Sequence, residues 1–110
     1  MLEISGTWKA QKSIPFLGSG QGTVAIFPDG FAKGYGRVEF LGKVFRFNAD
    51  TIHIEPVDQY RYRATYLGKS VVFTVNSQGT VLSAVINPYR MGIVSIKRLD
   101  ISIPLQFTRV

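Results

Sequence analysis

Residues 22–36 read GTVAIFPDGFAKGYG. Thr23 to Phe27 is a β-forming run, Pro28-Asp29-Gly30 supplies a turn in which Gly30 takes a positive φ at little cost, and Phe31 opens a second extended run to Phe40. The stretch therefore predicts a strand pair. Successive side chains of a strand face opposite sides, so Phe31, Lys33, Tyr35 and Arg37 share one face while Ala32, Gly34, Gly36, Val38 and Phe40 share the other. The first face mixes aromatic and cationic groups where a core would be purely apolar. The glycines of the second relieve crowding where a barrel strand coils.

The same habit continues along the chain. Ile4 to Ala10 predicts a strand around Trp8; Lys43 to Phe47 and Thr51 to Glu55 predict two more, parted by Asn48-Ala49-Asp50. Tyr60 to Tyr66, Ser70 to Val75, Thr80 to Ile86 and Gly92 to Arg98 follow, and Ile101 to Phe107 alternates cleanly. Pro104 interrupts that last run; it lacks a donor and marks an edge or a bulge. No stretch keeps the apolar period of a surface helix for three turns. The expectation is an all-β domain spanning residues 1–110, a small antiparallel β-barrel of about eight or nine short strands, with either an OB-like core or an up-and-down meander. Gly20-Gln21-Gly22-Thr23-Val24 and Ser77-Gln78-Gly79-Thr80-Val81 look alike, as a duplicated hairpin would.

Composition narrows the function classes. With 110 residues the chain makes one domain with one hydrophobic core. Cysteine is absent, which excludes disulfides and cysteine-based zinc sites. No apolar run approaches bilayer length and Met1-Leu2-Glu3-Ile4-Ser5 lacks the features of a signal peptide, so a soluble cytoplasmic protein with no membrane partner is expected. The formal charge of +6 favours attraction to polyanions.

One resemblance bears on that charge. Gly22-Thr23-Val24-Ala25-Ile26-Phe27, then Lys33-Gly34-Tyr35-Gly36, then Leu67-Gly68-Lys69-Ser70-Val71-Val72-Phe73-Thr74-Val75 and Ala84-Val85-Ile86-Asn87, resemble the nucleic-acid-binding face and last strands of a cold-shock domain over roughly residues 20–88. The chain departs from that pattern at Ala25, Ile26 and Arg37, where the family has a lysine, a tryptophan and an aromatic. The resemblance implies single-stranded DNA or RNA as partner, held by cations on phosphate and rings on bases. Candidate nucleic-acid residues are Lys33, Tyr35, Arg37, Phe45, Arg46, Phe47, Tyr60, Arg61, Tyr62 and Arg63.

Enzyme chemistry finds little footing. His53 is the single histidine, and Glu55 beside it could in principle complete a proton-transfer pair, but no Gly-x-Ser-x-Gly elbow or metal-ligand spacing accompanies it. Asp50, Glu55 and Asp58 match no known cation loop. The glycines of Gly18-Ser19-Gly20-Gln21-Gly22 enter a strand, not the helix a phosphate loop needs. No catalytic residue, metal or cofactor is expected. A rival reading starts from Gly6-Thr7-Trp8, which resembles the Gly-x-Trp opening of lipocalin- and avidin-like barrels; it implies that Trp8 closes a barrel floor and tyrosines line a ligand pocket. A third is assembly into a homo-oligomer through an edge strand at Ile101 to Phe107.

Overall fold

The computed structural model describes residues 3–92 and 95–110. Eight strands run in sequence: β1 (Gly6–Ile14), β2 (Gly18–Ile26), β3 (Phe31–Phe40), β4 (Lys43–Pro56), β5 (Arg61–Tyr66), β6 (Lys69–Val75), β7 (Val81–Ile86) and β8 (Ile103–Arg109). Each is antiparallel to the next, and β8 returns to β1, so the sheet closes as an up-and-down barrel. Of the two arrangements that the sequence left open, this is the meander; an OB barrel is a five-stranded Greek key.

Closure decides which chain ends meet. With an even number of up-and-down strands, the start of β1 lies beside the end of β8, and Trp8 pairs with Arg109. The guanidinium carbon of Arg109 sits 4.3 Å from the Trp8 ring centroid, within cation–π range. Its nitrogens donate to three carbonyls, those of Glu3, Ser5 and Gly79, each at 2.8 Å. Trp8 is fully buried, and its indole N–H donates to the Ile4 carbonyl at 2.9 Å. Around it pack Ile26, Ile54, Tyr62, Phe73 and Leu82, which close the floor. Tyr62 and Phe73 stack with ring centroids 5.7 Å apart.

β4 corrects one expectation. Asn48-Ala49-Asp50 does not separate two strands; it lies inside a single strand, in which Asp50 and Thr51 stand opposite Lys33 alone. This bulge shifts the alternation, so that Phe45, Phe47 and Ala49 face inward below it in the chain and Ile52 and Ile54 above it. Without the extra residue, Thr51 and His53 would point at the core. The parity switch is what makes the sequence read as two strands.

A second correction concerns Gly92 to Arg98. Gly92 lies in a turn and Lys97–Leu99 forms a short 3-10 helix; Ile93 and Val94 lie outside the described residues. The described positions, Gly92 and 95–98, belong to a long connection between β7 and β8 that crosses the open end of the barrel. Leu99 and its neighbours Ile96 and Ile101 pack against Phe40, Leu17 and Phe45. Asp100 ties the connection down: its Oδ1 accepts from Asn87 Nδ2 at 2.7 Å and from Arg90 Nε at 2.8 Å. The alike pentapeptides are not equivalent either, because one lies within β2 and the other covers the β6–β7 turn and the first residue of β7.

The turns at the open end have an unusual chemistry. β3–β4 and β5–β6 are two-residue connections, Leu41-Gly42 and Leu67-Gly68, with positive φ at both residues, as the type I′ hairpin demands. In the β1–β2 turn, Leu17 N–H bonds to the Ile14 carbonyl and Phe16 takes φ 67° after Pro15, the position where a type II turn ordinarily carries glycine. Large apolar residues thus occupy three backbone positions that cost them about 1–2 kcal/mol each.

Candidate functional site

Inward alternation lines the barrel with apolar side chains, and small residues on one wall keep it from filling. Positions 18, 20, 22, 34 and 36, all on the inward faces of β2 and β3, are glycine. Phe47 lies over this floor of backbone. A Cβ added at Gly36 would stand 2.6 Å from the Phe47 Cζ and closer still to the Gln21 carbonyl, so the ring can reach its place only over glycine. Elsewhere the wall stays open. A cavity of about 430 Å³ extends between Val24 and Gly34 on one side and Val71, Ala84 and Phe107 on the other. A smaller one of about 140 Å³ shares Val24, Phe47, Ile86 and Phe107 with it and extends along β1 and β2.

The open end carries the polar groups. Tyr66 and Lys69 continue the inward rows of β5 and β6, so that each follows apolar residues on the same face. Lys69 is exposed, bounds the larger cavity and makes no ion pair among the described residues. Lys12 holds the corresponding place on β1, after Trp8 and Ala10, and bounds the smaller cavity.

The predicted nucleic-acid residues divide between the two sides of the wall. Lys33, Tyr35 and Arg37 point outward from β3, and Arg46 stands opposite Arg37 on β4, also outward. Tyr35 is 57% exposed. Phe45 and Phe47 point inward, Phe45 against the Phe40 and Leu99 cluster and Phe47 into the cavities. Tyr62 is buried in the floor, and Tyr60 sits in the β4–β5 turn, where its hydroxyl accepts from Gln59. Strand alternation explains the division: β5 begins at Arg61, so Tyr62 and Tyr66 face in while Arg61 and Arg63 face out.

The outward arginines of β5 have partners. Arg61 meets Asp58 at 2.6 Å and Arg63 meets Glu55 at 3.1 Å. The Arg61 hydrogen bond, helped by the Tyr60 backbone N–H, holds the Asp58 carboxyl below the ordinary aspartate value, and the same contact raises the Arg61 guanidinium. Arg37 lies 3.5 Å from Glu39. Among the described residues Lys33 and Arg46 have no ion pair. His53 is exposed and packs edge-on to Phe31, while Glu55 is engaged by Arg63, so the two do not form a proton-transfer pair.

No protein-family model, curated protein or solved structure matches this chain. The site therefore stands on its own geometry: an apolar interior with a sealed floor, a lysine at the mouth, and a modest basic face outside. Sequence reading singled out neither Arg109, which ties down the floor, nor Lys69, which bounds the larger cavity. For Arg109 no local signal exists, because its contacts to Glu3 and Ser5 span the whole chain. Lys69 was legible in principle as a cation in phase with Val71, Phe73 and Val75.

Proposed function

We propose that the barrel binds one small apolar or amphipathic molecule in its interior. The observation that carries this reading is the cavity of about 430 Å³ behind Trp8 and its floor, walled mainly by apolar side chains and glycine backbone, with Arg46, Asn48, Tyr66 and Lys69 as its polar lining. Its size falls in the range typical of small-molecule sites, about 300–1,000 Å³. The Gly6-Thr7-Trp8 opening supports it as well, since Trp8 closes the floor as that likeness implies.

Titration with the neutral dye Nile red tests it. Saturable binding with a blue-shifted emission is expected, with little dependence on salt. Ala84→Phe and Val71→Phe place a ring in the cavity and should each weaken binding roughly tenfold or more, the loss of one well-buried apolar contact area. Absence of saturable binding, or equal binding by folded cavity-filled variants, would refute the proposal.

A second reading is single-stranded nucleic acid on the outer wall, favoured by the shared exposed face of Lys33, Tyr35, Arg37 and Arg46. It must do without Phe45, Phe47 and Tyr62, whose rings lie inside. Fluorescence anisotropy with labelled single-stranded DNA and RNA at low salt decides it: Tyr35→Ala should then cost about 1–3 kcal/mol through the lost base stack.

A further inference from the structure

We infer that the open end of the barrel docks on an anionic lipid bilayer, with Phe16, Leu41 and Leu67 entering the surface. All three lie on connections at the same end, the β1–β2, β3–β4 and β5–β6 turns. Phe16 is completely exposed, Leu67 is 82% exposed and Leu41 59%. The first two turns touch, since Leu41 N–H donates to the Leu17 carbonyl. An exposed leucine or phenylalanine gives the fold no burial, and each sits at a positive φ that glycine or asparagine would adopt more easily. Three such choices at one end of the molecule serve a surface outside it.

Charge identifies that surface. Glu3, Asp29, Asp50, Glu55 and Asp58 lie in the floor half of the barrel; the acids at the open end, Glu39 and Asp100, are each held by an arginine. Lys12, Lys43, Lys69, Lys97 and Arg98 stand exposed on the strand ends and the connection around the apolar turns, in no ion pair among the described residues. Apolar tips ringed by free cations match an anionic bilayer, whose acyl boundary takes the side chains while its phosphates meet the cations. A second copy docking by the same end would instead bring these cations face to face. Docking of this kind needs no spanning segment, and among the described residues no helix is long and apolar enough to cross a membrane.

Co-sedimentation with phosphatidylcholine vesicles, with and without phosphatidylglycerol, tests the inference in the intact protein. Binding is expected to the anionic vesicles, to fall steeply as salt rises, and to be weak on pure phosphatidylcholine. The variant Phe16→Asn/Leu41→Asn/Leu67→Asn should keep or raise the melting temperature, because asparagine tolerates positive φ, and should lose vesicle binding roughly tenfold or more. Failure of the parent to bind anionic vesicles at low salt, equal binding by the triple variant, or indifference to phosphatidylglycerol would each overturn it. So would a sedimentation-velocity dimer that the triple variant abolishes in the absence of lipid binding. Loss of Nile red binding with vesicle binding intact would leave this inference standing and remove the interior site.

Discussion

Replacing Arg109 by alanine should be among the most damaging single changes outside the core. The side chain donates three charge-assisted hydrogen bonds to backbone carbonyls and covers the ring of a fully buried tryptophan. Because the arginine is exposed, each hydrogen bond is worth about 0.5–1 kcal/mol, the low end of the ordinary range, and the ring contact about 0.5–1 kcal/mol. The loss is therefore roughly 2–4 kcal/mol. For a domain of this length that corresponds to roughly 10–25 °C in melting temperature. Arg109→Lys keeps a cation over the ring but cannot span three carbonyls, so it should recover less than half of the difference. Urea denaturation followed by fluorescence reports both quantities, since Trp8 is the single tryptophan and its emission should shift red when the ring is uncovered. A loss below about 1 kcal/mol, or a lysine variant as stable as the parent, would show that the floor holds without the guanidinium.

Gly36→Ala should destabilise by about 1–3 kcal/mol in the same urea assay, because its Cβ meets Phe47 and the Gln21 carbonyl, whereas Gly20→Ala, with nothing nearer than 3.5 Å, should be tolerated. Lys69→Gln should weaken binding of an amphiphile with a carboxylate head, measured by Nile red displacement, and leave its methyl ester unchanged; equal effects on both would remove Lys69 from the site. The hydrogen bond from Asn87 and then that from Arg90 hold the Asp100 carboxyl below the ordinary aspartate value. Its folded value is thus depressed, so the stability it contributes is complete above the ordinary aspartate value and is lost as pH falls through the depressed one. Hydrogen exchange of the β7–β8 connection should accordingly rise in that acid window, and Asp100→Asn should abolish the pH dependence there.

Much of the wall was legible. β3 has the bounds read from its alternation, and Lys33, Tyr35 and Arg37 share the outward face that alternation assigns them, because a two-residue period needs no tertiary information. Gly30 takes its expected positive φ in the β2–β3 turn. Pro104 falls in the half of β8 that β1 does not pair, as a residue without a donor should. What stayed hidden depends on closure. Phe45 and Phe47 face in because they pair with Val38 and Gly36 of β3, Ile52 and Ile54 do so only because of the bulge opposite Lys33, and the Trp8 and Arg109 contact follows from strand count, none of which the pattern of β4 alone encodes. In the described part of the Gly92 to Arg98 segment, Ile96 is apolar because it packs against the Phe40 and Leu99 cluster from a connection, which mimics a strand's apolar content.

The unequal lengths of the strand pairings have a mechanical consequence. β1 and β2 pair at nine positions, but β8 meets β1 at two and β4 meets β5 at four, all near the floor. β6 and β7 likewise pair at only three positions at that end, so above these three seams the wall parts into three ribbons, β1 to β4, β5 with β6, and β7 with β8. The girth of the interior is consequently not fixed by a closed ring of backbone hydrogen bonds. Its clasp is the β7–β8 connection, where Leu99 packs against Phe40 of β3. The tryptophan floor thus joins the ribbons at one end of the barrel, and the contact of one leucine with one phenylalanine joins them at the other.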